Sequence, residues 1–336
     1  LLQRDVRQPG LQVLVNGAPL AGVYEAEIHA NAYLAADRFA FRSALSADDI
    51  SVWSAIPLQV EIQAGIDGAW QSLIIGQGDM LHIDPIAGTV DLAGRDSTAL
   101  FIAAQTHDSF ENLTSSDVAS LLASRHGLAA SVAPTMELIG RFFQAGHTRT
   151  ALSQHGRATT EWDVLSWLAQ QEGYDVWVSG MTLYFQPSSL SSGSVAVSPD
   201  DCISMEMSRD LAIGAGGSLQ VQSWNCALQQ VVSASAMYGN GAPNGASMIT
   251  LRPNLAPADA QLLAQRIASQ LSSHERRVSF EAPADLVTAP RMQLQLYGTN
   301  TDFDGGYTIY EVERRFSVKR GFTQHVQARR SAWTIS

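Results

Sequence analysis

Paired carboxylates and neighbouring histidines are the residue patterns that most readily carry chemistry, and this sequence holds a few of each. Glu161 with Asp163, and Glu172 with Asp175, offer the acid and base of a glycosidase, a reaction that needs only two carboxylates. Both pairs fall where a helix is expected to begin and end, positions at which carboxylates ordinarily face solvent, and the surface reading is preferred. Trp162, Trp167 and Trp177 suggest a sugar platform, but Trp162 shares the helical period of Leu165, which places it toward a core. His147 and His155 stand in a segment rich in Thr, Ser, Gln and Arg. Their spacing matches no helical or hairpin ligand pair, so they read as exposed loop residues.

Three further patterns are weighed in the same way. Gly214-Ala215-Gly216-Gly217 is similar to a piece of a phosphate loop, yet no Gly-Lys-Ser or Gly-Lys-Thr follows it. Asp302 and Asp304 flank Phe303 before Gly305 with the spacing of part of a calcium loop, but Gly, Tyr and Thr fill the remaining ligand positions, which leaves a tight turn with solvated carboxylates. Arg314, Arg315, Lys319, Arg320, Arg329 and Arg330 reverse the acidic balance near the end of the chain. They suit either a nucleic-acid site or contact with an acidic neighbour in an oligomer. With no nucleophile beside a base, no metal cluster and no phosphate cradle, the expectation is a protein without catalytic residues, bound metal or cofactor.

The elements that would carry these residues follow from periodicity. From Leu11 to Gly94 the alternation is period two, as in Leu11 to Val15, Glu25 to His29 and Leu58 to Ile62, which predicts antiparallel strands with one buried face. Asn16-Gly17 and Asp67-Gly68 supply the positive φ angles of two-residue hairpins. Gly76, Gly78 and Gly94 mark bulges or corners of a closing sheet. The pattern turns helical after Thr114-Ser115-Ser116-Asp117, with Gly127 as the stop, and again from Thr160, three residues before Asp163, to Gly173. A hairpin through Val176 to Phe185 follows, so this middle region is α+β. The Ser-rich stretch Ser188 to Ser194 is the clearest boundary. Alternation then resumes in Leu219 to Gln222, Met292 to Leu296 and Tyr307 to Val312, interrupted by a long loop from Asn240 to Gly245 and a helix that starts at Pro257 with Leu263, Ile267 and Leu271 on one side.

Composition limits what these elements do. At 336 residues the chain has material for two or three cores. Hydrophobic residues at 46% exclude a disordered chain, and charged residues at 16% are too few to keep a large surface soluble, so some surface should be buried against partners. A formal net charge of -11 repels phosphate backbones and disfavours tight nucleic-acid binding. The longest apolar runs, such as Leu73 to Ile75, fall far short of the ~20 residues that cross a bilayer, and no signal segment opens the chain, so neither membrane insertion nor export by that route is expected. Cys202 and Cys226 are expected to be free buried thiols of a reducing compartment, and neither lies in a CxxC.

Several ordered segments resemble one family. Val90-Asp91-Leu92-Ala93-Gly94-Arg95-Asp96-Ser97-Thr98-Ala99-Leu100 is similar to the strand and Gly-Arg-Asp that close its first barrel. Asn112 to Ala119 with Arg125-His126-Gly127-Leu128 resembles its first helix and stop, and Thr160 to Leu165, Leu168 to Tyr174 and Leu183-Tyr184-Phe185 its second helix and hairpin. Val221 to Asn225 is similar to the strand that enters its second barrel, and Ala260 to Leu271 with Asp304 to Val312 to its closing helix and strands. The family is the late-control D family of phage tail proteins, which includes the Mu-type baseplate hub and is similar to the T-even tail hub and the N-terminal part of type VI secretion spikes. Arg314-Arg315-Phe316 stands where the family's final motif often carries a His, a departure that leaves the subgroup open.

The resemblance implies a β-rich α+β fold with two tail-tube-like antiparallel β-barrel domains: the first barrel over 1–100, an α+β domain over 101–190, and the second barrel over 191–336 with a helical insertion near 240–275. It implies a structural baseplate hub of a contractile phage or prophage tail, a homotrimer whose barrels form a pseudo-sixfold ring between the hexameric tail tube and the trimeric spike. Partners would be tail tube, spike, baseplate wedge and tape measure proteins. DNA would pass a negative channel without specific binding, and the particle would assemble in the host cytoplasm. No small barrel or β-helix repeat follows the second barrel before Ser336, so the spike is expected to be a separate protein. The alternatives are a tail-associated cell-wall-degrading enzyme and a carbohydrate-binding module.

Overall fold

Hairpins, and the residues that turn them, set most of the architecture. The computed structural model describes residues 8–44, 53, 57–106, 108, 110, 112–139, 160–188, 193–225, 228–239 and 247–331. Seven strands come first: β1 (Pro9–Val15), β2 (Ala18–Leu20), β3 (Val23–Asn31), β4 (Arg38–Ala44), β5 (Gln59–Ile66), β6 (Ala69–Asp84) and β7 (Thr89–Asp96). The middle region holds α1 (Thr98–Ala103), β8 (Leu113–Thr114), α2 (Ser115–Arg125), β9 (Ala129–Val132), β10 (Leu138–Ile139), α3 (Glu161–Glu172), β11 (Tyr174–Ser179) and β12 (Thr182–Pro187). The remainder is β13 (Ser194–Val197), β14 (Ser204–Arg209), α4 (Leu211–Ala215), β15 (Gly217–Asn225), β16 (Gln230–Tyr238), β17 (Ser247–Leu251), α5 (Pro257–Ser273), β18 (Arg276–Pro283), β19 (Gln293–Leu296), β20 (Gly305–Ser317) and β21 (Gly321–Arg330).

One large sheet unites the two ends of the chain. Its order is β14-β18-β21-β20-β3-β4-β7-β6-β5-β1-β2, with β19 against β20 and β13 against β19. The two-residue turns fall as the sequence predicts: Val15 pairs with Ala18 across Asn16-Gly17 and Ile66 with Ala69 across Asp67-Gly68, all four turn residues having positive φ. The early and late halves meet where β3 pairs antiparallel with β20. Beside that seam Ala64, Ala284 and Phe322 are buried together, with Phe316 and Leu286 packed against them.

Each part of the chain keeps an apolar centre of its own. Val13, Phe39, Val60, Ile62 and Leu92 lie at the centre of the first strands, and Phe280, Leu294, Leu296, Ile309 and Val326 at that of the last. Between them α2 and α3 pack on β11 and β12 around Leu122, Leu165, Leu168, Leu183 and Phe185. Both helices begin with a reciprocal capping box, Thr114 with Asp117 and Thr160 with Asp163, each satisfying two backbone N–H groups that a helix start leaves unpaired. Among the described residues no helix is long and apolar enough to cross a membrane.

Leu219 to Gln222, expected in the second barrel, belong instead to a separate three-stranded sheet, β16-β15-β17, that packs on α5. The insertion is therefore larger than the sequence suggests, running from about Gly217 to Ser273, because β15 pairs with its neighbours in sequence rather than with the large sheet. The helix also buries a stripe other than the expected one. Ala260, Ala264 and Ala268 are buried, while Leu263, Ile267 and Leu271 flank them half-exposed. Small side chains on the facing stripe let the helix lie close on the sheet, and the larger ones seal its margins.

The glycines of β6 and β7 mark a close crossing. A Cβ on Gly94 would lie 2.1 Å from the Gln77 carbonyl oxygen and 2.5 Å from Phe39 Cζ, and one on Gly76 would lie 2.1 Å from the Arg95 carbonyl oxygen. The ladder slips between Gly78 and Met80 at the same place. Gly94→Ala should therefore cost about 1–3 kcal/mol by overpacking, read as a lower urea midpoint with an unchanged slope.

Candidate functional site

The carboxylate pairs singled out as an acid and base, Glu161 with Asp163 and Glu172 with Asp175, are each engaged in structural bonds. Asp163 accepts from the Thr160 N–H at 3.0 Å in the capping box of α3, and Asp175 accepts from Ser188 Oγ at 3.0 Å. Glu161 is not the surface residue the sequence suggests. It is 5% exposed, pairs with His126 Nε2 at 2.6 Å and accepts from Arg125 Nη1 at 3.1 Å, so its carboxylate is met by an imidazole and a guanidinium from the end of α2. Glu172 accepts from Ser115 Oγ at 2.7 Å. Trp162 is a core residue, as expected, with its indole N–H donating to the Leu34 carbonyl at 2.9 Å. Trp177 stacks on Tyr184 with ring centres 4.9 Å apart.

The glycine run carries the short helix α4, and Gly217 lies under the Tyr238 hydroxyl, 2.3 Å from where a Cβ would stand, so the segment is filled by its own chain. Asp304 accepts from the backbone and hydroxyl of Thr299, and these bonds hold its carboxyl below the ordinary range, as a tight turn requires. Asp302 pairs with Arg276. Cys202 is a free, half-buried thiol pushed up to about 11 by burial. His147, His155, Cys226 and the loop from 240 to 245 lie outside the described residues.

The C-terminal arginines find their partners within the chain. Arg330 Nη1 lies 3.0 Å from Glu275, a carboxylate 1% exposed that also takes Arg209 at 2.8 Å. Arg315 contacts Glu313 and Glu27. Arg314 is buried and donates to the carbonyls of Asp285 and Thr288. Arg329 lies over the rings of Tyr33 and Tyr310. Lys319 and Arg320, on the turn between β20 and β21, remain exposed, as does Arg315 beside its two carboxylates. Four of the six cations are thus engaged within the chain by carboxylates, carbonyls or aromatic rings.

A junction the sequence did not disclose gathers around Arg291. Its guanidinium lies 4.6 Å above the Trp177 ring and donates to the Asn31 carbonyl at 3.3 Å, touching the middle region and the first strands from a residue next to β19. Burial drives Arg291 down from its ordinary value, against the pull of Asp175, Asp37 and Asp96. Asp37 accepts from the Asn31 N–H at 2.9 Å, yet burial raises it to about 6. Burial, with Asp37 beside it, raises Asp96 to about 8. Asp96 belongs to the Gly-Arg-Asp motif, the one signal in the sequence that pointed here.

The surface most suited to contact is the outer face of β16-β15-β17. Trp224 stands directly opposite Val231, Gln222 beside Leu251 and Gln220 beside Ile249. Trp224, Val231, Met237, Ile249 and Leu251 are each more than half exposed, with Leu251 at 71%. The strand positions sharing this face are otherwise Ser and Gln, so it carries no charge. Neither β16 nor β17 has a further strand partner among the described residues. An uncharged apolar sheet face with free edges is the kind of surface that associates with another protein.

No family model matches the sequence, and no curated protein is similar to it in sequence. Solved structures do match the fold over nearly the whole chain. A tail protein from Neisseria meningitidis superposes with a TM-score of 0.71 at 14% identity, covering 96% of each chain. A tail protein of prophage MuSo2 from Shewanella oneidensis gives 0.70 at 13% identity over 96% of this chain and 97% of that one. A type VI secretion component of E. coli, described as structurally similar to the T4 bacteriophage tail proteins gp27 and gp5, gives 0.56 at 12% identity over 94% and 76%. The chain has the fold of these phage-tail and secretion-system proteins, as its resemblance to the hub family implies.

The Asp37 and Asp96 pair sets the pH response. A carboxyl whose pKa is higher folded than unfolded contributes stability at low pH that is lost as pH rises through the folded value. Melting temperature should fall from about pH 4 to about pH 8. In Asp96→Asn the upper part of that slope should flatten, as followed by thermal melts across the range.

Proposed function

We propose that this chain is the structural hub of a contractile phage or prophage tail baseplate. It forms a homotrimer whose β domains make a pseudo-sixfold ring between the hexameric tail tube and the trimeric spike, and it acts without catalytic residues. The division into a first tube-like domain over 1–100, an α+β domain over 101–190 and a second tube-like domain over 191–336 belongs to this reading. Separate apolar centres in the three parts support it. The observation that carries the proposal is a likeness in fold to a tail protein spanning 96% of both chains.

Physical features of the chain agree. The net charge of -11 would let DNA pass a channel without counterion-driven adhesion, and the outer face of β16-β15-β17 offers a neighbour an uncharged surface. Wedge and tape measure proteins would be further contacts, and the location would be the virion tail baseplate. The carboxylates named for the wall-degrading alternative are engaged in a helix cap, an ion pair and side-chain hydrogen bonds, which favours the structural reading.

Light scattering and negative-stain imaging of the purified chain with its tube and spike proteins should give a trimer mass and rings with a central channel. A monomer that clears cell walls would overturn the proposal. Trp224→Ser combined with Leu251→Ser should weaken assembly at least about tenfold, the loss expected of a contact centre, while leaving the thermal melt of the isolated subunit nearly unchanged.

A further inference from the structure

The seam between β3 and β20 brings together three side chains of metal-ligating type. Glu27 and His29 are two residues apart on β3 and so share a face, and Glu313 on β20 stands directly across from His29. One donor atom from each lies within 4.8 Å of the other two. Glu27 Oε1 is 2.5 Å from His29 Nε2, and His29 Nε2 is 3.9 Å from Glu313 Oε1. We infer that Glu27, His29 and Glu313 form a site for one first-row divalent cation of the zinc class, which clips the two halves of the large sheet together.

The donor set selects the ion. One imidazole nitrogen and two carboxylate oxygens suit zinc, cobalt or nickel, whereas calcium takes six to eight oxygens. Two ligands on one strand and a third on its neighbour are held by backbone ladders on both sides, since β3 also pairs with β4 and β20 with β21, so little freedom is lost on binding. The exposures suit an entry path: the Glu313 side chain is 12% exposed at the floor, while His29 at 36% and Glu27 at 39% form an open rim.

A second observation shows a cation already drawn to this point. Arg315 Nη2 reaches within 3.7 Å of Glu27 Oε1 and contacts Glu313 Oε1, although its own side chain is 63% exposed. Glu313 Oε1 is enclosed, and beside the Arg315 contact its carboxyl faces that of Glu27. The guanidinium thus stands in for a more compact ion and is free to swing into solvent when one arrives. Around the triad, Arg38 faces His29 from β4 and His325 faces Glu313 from β21, the latter offering the nearest further imidazole by register.

Titration of the full chain with Zn²⁺ against a chromophoric chelator should show one ion per subunit and a higher melting temperature, and Co²⁺ should give visible bands of a low-coordinate site. His29→Asn should weaken binding at least about tenfold, Glu313→Gln should do the same, and Arg315→Gln should tighten it. His82→Asn, an exposed histidine elsewhere, should change nothing. Circular dichroism checks each variant; if His29→Asn fails to fold, the near-isosteric Glu27→Gln and Glu313→Gln decide the matter. Absence of saturable binding, or equal binding by the wild type and the folded triad variants, overturns the inference.

Discussion

Seven residue pairs between β3 and β20, from Asn31 opposite Glu311 to Glu25 opposite Ser317, make one sheet out of two halves of the chain. Without them each half would end in an unpaired strand edge, with a row of unsatisfied backbone groups and a direct route to wrong association. The seam is supported at more than one level. Buried Phe322 and Ala284 press against Ala64 beside it, and Arg291 ties the same region to the middle helices through Trp177. Register matters as much as proximity: a slip by one residue would turn Ile28 outward and His29 inward, exchanging a core residue for a half-exposed one.

Electrostatics reinforce this economy. Charged residues are scarce, yet several of them are buried: Glu161, Glu275 and Arg314 all sit where water is excluded. Each is matched from another element, Glu275 by arginines of β14 and β21, Glu161 by the end of α2, and Arg314 by two carbonyls ahead of β19. Buried ion pairs add little net stability, because desolvation offsets most of their attraction, but they penalise any arrangement that leaves one partner alone. They therefore specify how the parts sit together more than how strongly they hold.

Local features were the legible ones. The two hairpin turns, both capping boxes and the stop at Gly173 depend on residues a few positions apart, and the sequence displays them directly. What it hid depends on contacts across long separations. Arg330 looked like a free cation until Glu275 was brought to it, and Glu161 looked exposed until the end of α2 closed over it. Leu219 to Gln222 alternate like any half-buried strand, and alternation alone does not say which sheet receives the strand. The alanine stripe of α5 escaped notice because small residues carry a weak periodic signal, although they make the contact. The triad at the seam was invisible for the same reason as the seam, since Glu313 shares no local pattern with His29.

The order in which the chain is made gives the β3 pairing a consequence for biogenesis. On the ribosome β3 emerges about 280 residues before the strand that completes it, so its edge must wait while the rest is synthesised. During that interval β4 covers one side only, and the half-exposed Glu25, Glu27 and His29 on the waiting strand act as polar gatekeepers against premature pairing between nascent chains. A chain interrupted before Gly305 would therefore retain an open, adhesive edge on β3.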